Sequence, residues 1–508
     1  MKLNYDNIKK AWPDDYLMPV YDIQKMKDNT ILRPIWLHVG AGNIFRIFIG
    51  SMHQELLNKG LTDTGITVYE GYDEEIIPKS FAPFDNMTLG VTLNADGSLK
   101  KEVIASIGDA FSNDLMALKK VISKPSLQMI SFTITEKGYT VVSGAVCAGP
   151  DKAKLTLEAV AAGLYTRFLS DGKPLALVAM DNFAENGTKL ALALSQIAQA
   201  WADDEHVPGS FVDYIQSMSY PWTMIDKITP RPSETVAAML AADGYEDTDI
   251  TETSKHTFVS SFVNAEAAAY LIIEDDFPNG RPPLEKAGAY LTDKDTVKKM
   301  DQMKVCACLN PLHTILAVSG MLLDIPTIAQ CMKNQGLVSL IKKAASEALP
   351  TVEDPGIIRP LDFLNEVINE RFPNPFIPDA PARIACDTSQ KVPVRFGETL
   401  KVYAEQGFNF HDLDAIPLFI ALWMRYRTGV NDQGDKIILS PDPRCPESIL
   451  KLEGIGFDVS FDFEPILTDQ SIFGVNLYEV GLAEKIIQYF NKLNKQPGVV
   501  AALTGSFQ

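Results

Sequence analysis

The run MKVCACLNPLH, residues 303–313, sets a lysine (Lys304), an amide (Asn310) and an imidazole (His313) close together in the chain. These groups suit the oxidation of a secondary alcohol, or its reverse. As hydride leaves the carbon, a base must take the hydroxyl proton, and a lysine shielded from water can serve near neutral pH. Amide donors then hold the developing alkoxide, with Asn310 and Asn182 as candidates. Asn310 before Pro311 predicts a helix start, with asparagine as cap and proline in the first turn, where its missing N–H costs nothing. A helix continuing through Pro311 would press the ring on the carbonyl of Ala307. His313 then falls in the first turn near Asn310. The same residues also fit a surface lysine beside a helix cap with a core-facing histidine, and spacing alone leaves both readings open.

A hydride reaction needs a carrier, and PIWLHVGAGNIFRIFIG, residues 34–50, offers a place for one. Residues 35–39 read as a short buried parallel strand. Gly40 and Gly42 permit a tight turn and a close backbone approach to a pyrophosphate. From Asn43 the apolar residues fall at helical spacing, with Gly60 as the stop. Strand, glycine turn and helix would present phosphate with free N–H groups at a helix N-terminus. Phe45 occupies the position of the usual third glycine, which implies a wider helix–strand crossing. A second strand at residues 66–69 ends on Glu70, whose carboxylate would accept a ribose hydroxyl and repel a 2′-phosphate, favouring NAD over NADP. The interval from Gly42 to Glu70 is long for this motif, so Asp73 is a rival.

The elements that must position these groups divide into two kinds. Residues 129–134 and 175–180 read as further buried strands, and 155–168 and 189–201 as amphipathic helices between and after them. Two polar clusters close these strands, TITEKGY with Thr135 and Glu136, and MDNFAENG with Asn182; ligands of doubly wound sheets bind outside the strand C-termini. The Pro- and Gly-dense run DDFPNGRPPLEKAGAYLTD marks a boundary. Beyond it helices dominate, at 314–323, 337–349, 361–371, 416–427 and 482–493. The expected fold is α/β: an N-terminal Rossmann-like doubly wound sheet (1–287) followed by a mostly α-helical C-terminal domain (288–508), with the site between them.

Composition narrows the partners. At 508 residues the chain exceeds what one core usually supports. A formal charge of −19 argues against nucleic acid, whose phosphates need clustered Lys and Arg. No signal-like N-terminus or run of about 18 apolar residues is evident, so no membrane partner is expected. The six cysteines are scattered and predict a reduced, cytoplasmic protein. Dispersed histidines without HxxxH or paired CxxC predict no metal. A small-molecule sugar acid or polyol is the expected partner, and the oligomeric state is left open.

Seven stretches in order, GAGNIFR, TITEKGY, MDNFAENG, MIDKITP, IEDDFPNGRPPLE, LNPLH and RFPNPFIPDAPARIACDTSQKVP, resemble segments of the mannitol dehydrogenase family, the zinc-independent long-chain polyol dehydrogenases. The resemblance implies an NAD-dependent reaction between a sugar aldonate or polyol and its keto form, D-mannonate and D-fructuronate first. Mannitol, tagaturonate and an NAD-retaining epimerisation are alternatives. It places the base on Lys304, the alkoxide amides on Asn182 and Asn310, substrate binding on His313, Asp226, Arg383 and Lys391, and a proton relay on Asp301. In the loop it implies a GxGNxxR form of the fingerprint, adding Asn43, Ile44 and Arg46 to the cofactor contacts. Between lysine and asparagine this chain has one residue more than the family pattern; a bulge, or a break before Pro311, would absorb it.

Overall fold

The structure is a computed structural model and describes residues 1–505 apart from 143, 145, 147, 171 and 378. Pro378, within the last of the quoted stretches, lies outside the described residues. The chain forms two compact units, Met1–Lys298 and Lys299–Gln508.

In the first unit five strands form one parallel sheet: β1 (Trp36–Val39), β2 (Ile66–Glu70), β3 (Ile107–Ser112), β4 (Met129–Phe132) and β5 (Ala176–Ala179). Their order is β3-β2-β1-β4-β5, every neighbouring pair parallel. The direction of winding reverses beside β1, and that is where a doubly wound sheet opens a crevice beyond its strand C-termini. The continuous apolar runs follow from burial on both faces. Leu37, Val39, Ile130, Phe132, Leu177 and Ala179 point into one core with the Thr156–Phe168 and Asn186–Asp203 helices. Trp36, Met129, Ala176 and Val178 point into the other, with Phe45, Phe48, Ile49 and Met52.

Three smaller sheets were not evident from residue patterns, one of them the two-stranded pair Thr251–Glu252 and Phe258–Val259. A four-stranded sheet runs in the order Tyr16–Leu17, Leu99–Ile104, Thr88–Leu93, Phe262–Glu266. A three-stranded sheet joins Tyr290–Thr292, Tyr270–Glu274 and Thr223–Asp226.

The second unit is helical. The Ala415–Arg427 helix is buried along its whole length. Its N-terminus is held by the Glu347 carboxylate, which accepts from the backbone N–H groups of Asp414, Ala415 and Ile416, a carboxylate at the positive end of the helix dipole. Around it pack the Asn310–Leu322, Gln335–Ala348 and Ala483–Leu493 helices. The helical stretch Lys294–Leu322 is long and apolar enough to cross a membrane by length and composition, and 78% of its most apolar window is buried inside the fold.

Candidate active site

At the C-terminal end of β1, Gly40 takes φ +104°, a conformation glycine adopts without cost. A Cβ there would lie 2.3 Å from the carbonyl oxygen of Thr133. Gly42 is different: a Cβ on it would meet nothing within 4 Å. Nothing inside the protein crowds Gly42, so its backbone is open to whatever enters the cavity. Gly40, Ala41 and Gly42 line a cavity of about 620 Å³, together with Glu70, Asp73 and Thr135, a volume suited to a small-molecule site.

Glu70 bridges the two loops of this cavity. Its carboxylate accepts from the Ala41 N–H at 2.8 Å, and from the Tyr72 and Asp73 N–H groups at 2.8 and 3.0 Å. Each carboxylate oxygen has lone pairs to spare for a hydroxyl. Asp73, the rival, is buried and accepts from the Thr253 hydroxyl at 2.6 Å.

Of four further residues expected at the loop, two have protein partners away from the cavity. Arg46 is buried and donates to the Thr88 hydroxyl and to the carbonyls of Ser80 and Ser260, so its guanidinium ties the helix to the flanking sheet instead of reaching the cavity. Glu136 pairs with Lys189 at the surface. Asn43 and Ile44 open the helix, partly buried. Phe45 stacks on His38 with ring centroids 3.9 Å apart, so two stacked rings lie where a third glycine would bring helix and strand into contact.

Asp181 was not singled out from the sequence, yet it shapes a cavity wall. Its carboxylate accepts from the Ile134 and Thr135 N–H groups at 2.8 and 3.0 Å and from the Tyr139 hydroxyl at 2.7 Å. These bonds hold Thr135 at φ 62°, ψ 159°, a conformation a β-branched residue rarely adopts. Burial pushes the Asp181 carboxyl up, against the pull of its donors. Asp181→Ala should release Thr135 and weaken nucleotide binding about 10-fold or more, since removing charged hydrogen-bond partners costs a few kcal/mol. A fluorescence titration with NADH checks this, and an unchanged affinity would mean that the wall holds without the clamp. Asn182 follows on the exposed turn after β5, and Asp226 is buried at the end of its strand.

The helical unit brings together the other candidates. Residues Met303–Cys308 form a π-helical segment, and the Leu309 N–H donates to the Lys304 carbonyl at 3.1 Å. That wider turn takes up one residue, as π-bulges do at functional sites. Leu309 then breaks at φ −129°, and the next helix starts with Asn310 as its first residue and Pro311 as its second. Asn310 is therefore not the cap expected of it. Its side-chain amide bonds to no other described residue, while its carbonyl accepts from Thr314 and Arg395. Lys304 is buried, with its ammonium 3.6 Å from the Asp301 carboxylate, which is itself partly exposed. The neighbouring Cys306 and Cys308 are pushed up to about 12 by burial, leaving them as neutral thiols.

His313 lies over the Phe372 ring at 5.2 Å and faces Asp379. Its Nε2 lies 2.7 Å from the Asp379 carboxylate. Asp379 also pairs with Arg383. Burial alone would raise the Asp379 carboxyl; His313 and the permanently charged Arg383 outweigh it and hold it below the usual carboxylate range. Burial pulls the His313 ring down. Lys391 donates to the Ile384 carbonyl at 2.8 Å. Among the described residues no group of three His, Cys, Asp or Glu side chains could hold a metal ion.

Residues 34–286 match the model of the mannitol dehydrogenase Rossmann domain, and 296–494 that of the mannitol dehydrogenase C-terminal domain. The chain belongs to the mannitol dehydrogenase family. The D-mannonate oxidoreductase of Thermotoga maritima is 44% identical over 98% of this chain and 98% of its own length. The mannitol 2-dehydrogenase of Cereibacter sphaeroides is 27% identical over 82% of this chain and 85% of its own. Among solved structures, substrate-free D-sorbitol dehydrogenase superposes with a TM-score of 0.82 at 24% identity, covering 99% of this chain and 100% of that one. The Pseudomonas fluorescens mannitol 2-dehydrogenase complex with NAD and D-mannitol gives 0.75 at 23%, covering 100% and 99%. These two likenesses establish the fold of this family member.

Asp379 and Asp181 carried no local signal. Each acts through partners far away in sequence, and each stands in a stretch whose other residues drew attention first.

Proposed function

We propose that the protein interconverts D-mannonate and D-fructuronate with NAD as the hydride carrier. The observation that carries this reading is the 44% identity, over nearly the full length of both chains, to a D-mannonate oxidoreductase. The residues of the first unit fit the carrier: Gly42 leaves room that a Cβ would fill, the adjoining N–H groups suit a pyrophosphate, and Glu70 suits a ribose hydroxyl. NAD, when bound, supplies the site that accepts or returns the hydride.

The chain's own residues handle the proton and the charge. In the oxidative direction Lys304 takes the proton of the reacting hydroxyl as negative charge grows on the oxygen. The amides of Asn310 and Asn182 donate to that oxygen and stabilise it where it is most charged. Asp301, beside Lys304 and closer to solvent, passes the proton outward and resets the lysine. His313, fixed between Asp379 and Phe372, and Arg383 bind substrate hydroxyls, as does Asp226. Five free thiols among the described residues support a reducing, cytoplasmic setting.

NADH absorbance with purified protein and D-fructuronate, D-tagaturonate or D-fructose, supplied separately, tests the reading. Rapid oxidation with D-fructuronate is expected. Turnover of tagaturonate or fructose alone would replace the substrate, and silence with NAD retained on the protein would replace oxidoreduction by epimerisation. With D-fructuronate, NADPH should be about 100-fold poorer than NADH in kcat/KM, because a 2′-phosphate beside the Glu70 carboxylate sets two like charges together at a cost of several kcal/mol. Equal use of both would remove Glu70 from the ribose site.

A further inference from the structure

Two cations of the helical unit have no acid partner among the described residues. Lys391 is in the Thr388–Val392 helix and Arg395 one turn on, in the segment Pro393–Gly397, so their side chains leave the same face. The Lys391 ammonium donates to the Ile384 carbonyl. The Arg395 guanidinium donates to the Asn310 carbonyl at 3.2 Å and to the Thr314 hydroxyl at 2.5 Å. Among the described residues neither has a carboxylate within ion-pair distance, whereas nearby Arg383 is matched by Asp379. Charge withdrawn from water ordinarily finds a counter-charge.

The surroundings add to the excess. Burial, then Arg395, pull Lys391 down to about 8, and Arg383 pushes the same way; Cys386 and Asp387 oppose them without prevailing. Burial pulls Arg395 down to about 10. Both stay cationic at neutral pH. Arg395 also sits on the first turn of the Asn310–Leu322 helix, the positive end of its dipole, where an anion is favoured and a cation is not. The hydrogen bonds of the two side chains leave their like charges uncompensated, and such breaches of local rules gather at functional sites. Arg395 touches the turn that presents Asn310, and Arg395 and Arg383 both act on the His313 ring.

We propose that Lys391 and Arg395 together seat the carboxylate of the substrate, so that the acid group of a uronate is the feature by which this enzyme selects it. The inference rests on the oxidoreductase reading above and names its basis of selection. A guanidinium and an ammonium side by side match a carboxylate with charge-assisted hydrogen bonds. Arg383, occupied by Asp379, is left for hydroxyl groups.

The test compares D-fructuronate with its neutral methyl ester in NADH oxidation by the wild-type protein, Arg395→Gln and Arg395→Lys, with a thermal melt for each. Wild type should prefer the acid by about 100-fold in kcat/KM, mostly through KM, the size expected for a desolvated charge pair. Arg395→Gln should lose about that factor on the acid alone, with an unaltered or higher Tm, and Arg395→Lys should keep part of it. The acid-to-ester ratio should fall as pH rises through about 8 and Lys391 gives up its proton. Rapid turnover of acid and ester alike by wild type would overturn the carboxylate seat and leave the oxidoreductase reading intact. Equal losses on both substrates in a stable Arg395→Gln would do the same. Turnover of a neutral ketose with none of the uronate would overturn both.

Discussion

Lys304→Met should reduce kcat for D-fructuronate reduction by about 10³-fold, within the range that a positioned proton donor or acceptor contributes. Methionine is the informative replacement. Lys304 is only 1% exposed, and alanine would leave a cavity that by itself costs several kcal/mol. Methionine keeps most of the volume and removes only the amine. NADH affinity should not move, because the glycine loop and Glu70 belong to the other unit of the chain. Stopped turnover with intact NADH binding and an ordinary Tm assigns the proton to Lys304; a kcat within 10-fold of wild type would sink that role. Asp301→Asn should be milder, slowing the reaction most where the proton must leave for solvent, because the lysine remains and only its exchange with water is hindered.

Gly40→Ala should be the most damaging small substitution in the nucleotide loop. The added Cβ would fall 2.3 Å from the Thr133 carbonyl oxygen, at a residue whose φ is +104°. Neither side can yield cheaply. The Thr133 N–H donates to Val39, and its hydroxyl meets Nε2 of His38 at 2.9 Å, beneath the ring stacked on Phe45. Gly40 in turn donates to the Tyr69 carbonyl at 2.9 Å. The turn must therefore shift as a whole by the better part of an ångström, a displacement that costs about 100-fold where geometry governs reaction. NADH affinity measured by fluorescence should drop by that order while the helical unit stays folded. Gly42→Ala, with nothing in the protein to strike, should leave the fold and Tm unchanged and hurt NADH binding alone. If both variants bind NADH normally, the loop does not hold the carrier.

The legible parts of the molecule were those written in local pattern. The five-residue apolar run before Gly40 held β1, the run 66–69 became β2 with Glu70 as its last residue, and the runs 129–134 and 175–180 held the shorter β4 (129–132) and β5 (176–179). The helices of the second unit fell close to their periodic segments, as in Ala415–Arg427 and Ala483–Leu493. The extra residue after Lys304 was legible as a problem, since a proline downstream forbids an unbroken helix. That a π-turn absorbs it before a break at Leu309 was not, because both solutions satisfy the local chemistry equally.

By itself, then, the order of residues determined where a nucleotide loop, a buried parallel sheet and a lysine ahead of a broken helix would occur, for each depends on neighbours within a turn or a strand. Only the tertiary structure decided what the lone charges do. Arg46 follows the glycine loop, yet its partners are Thr88, Ser80 and Ser260. Asp181 reaches back to Ile134, Thr135 and Tyr139, Asp379 to His313, and Arg395 to the first turn at Asn310. A charged side chain takes its role from whatever counter-charge, donor or acceptor the fold brings within about 3 Å, and that distance is set by packing across the chain, which no local periodicity encodes.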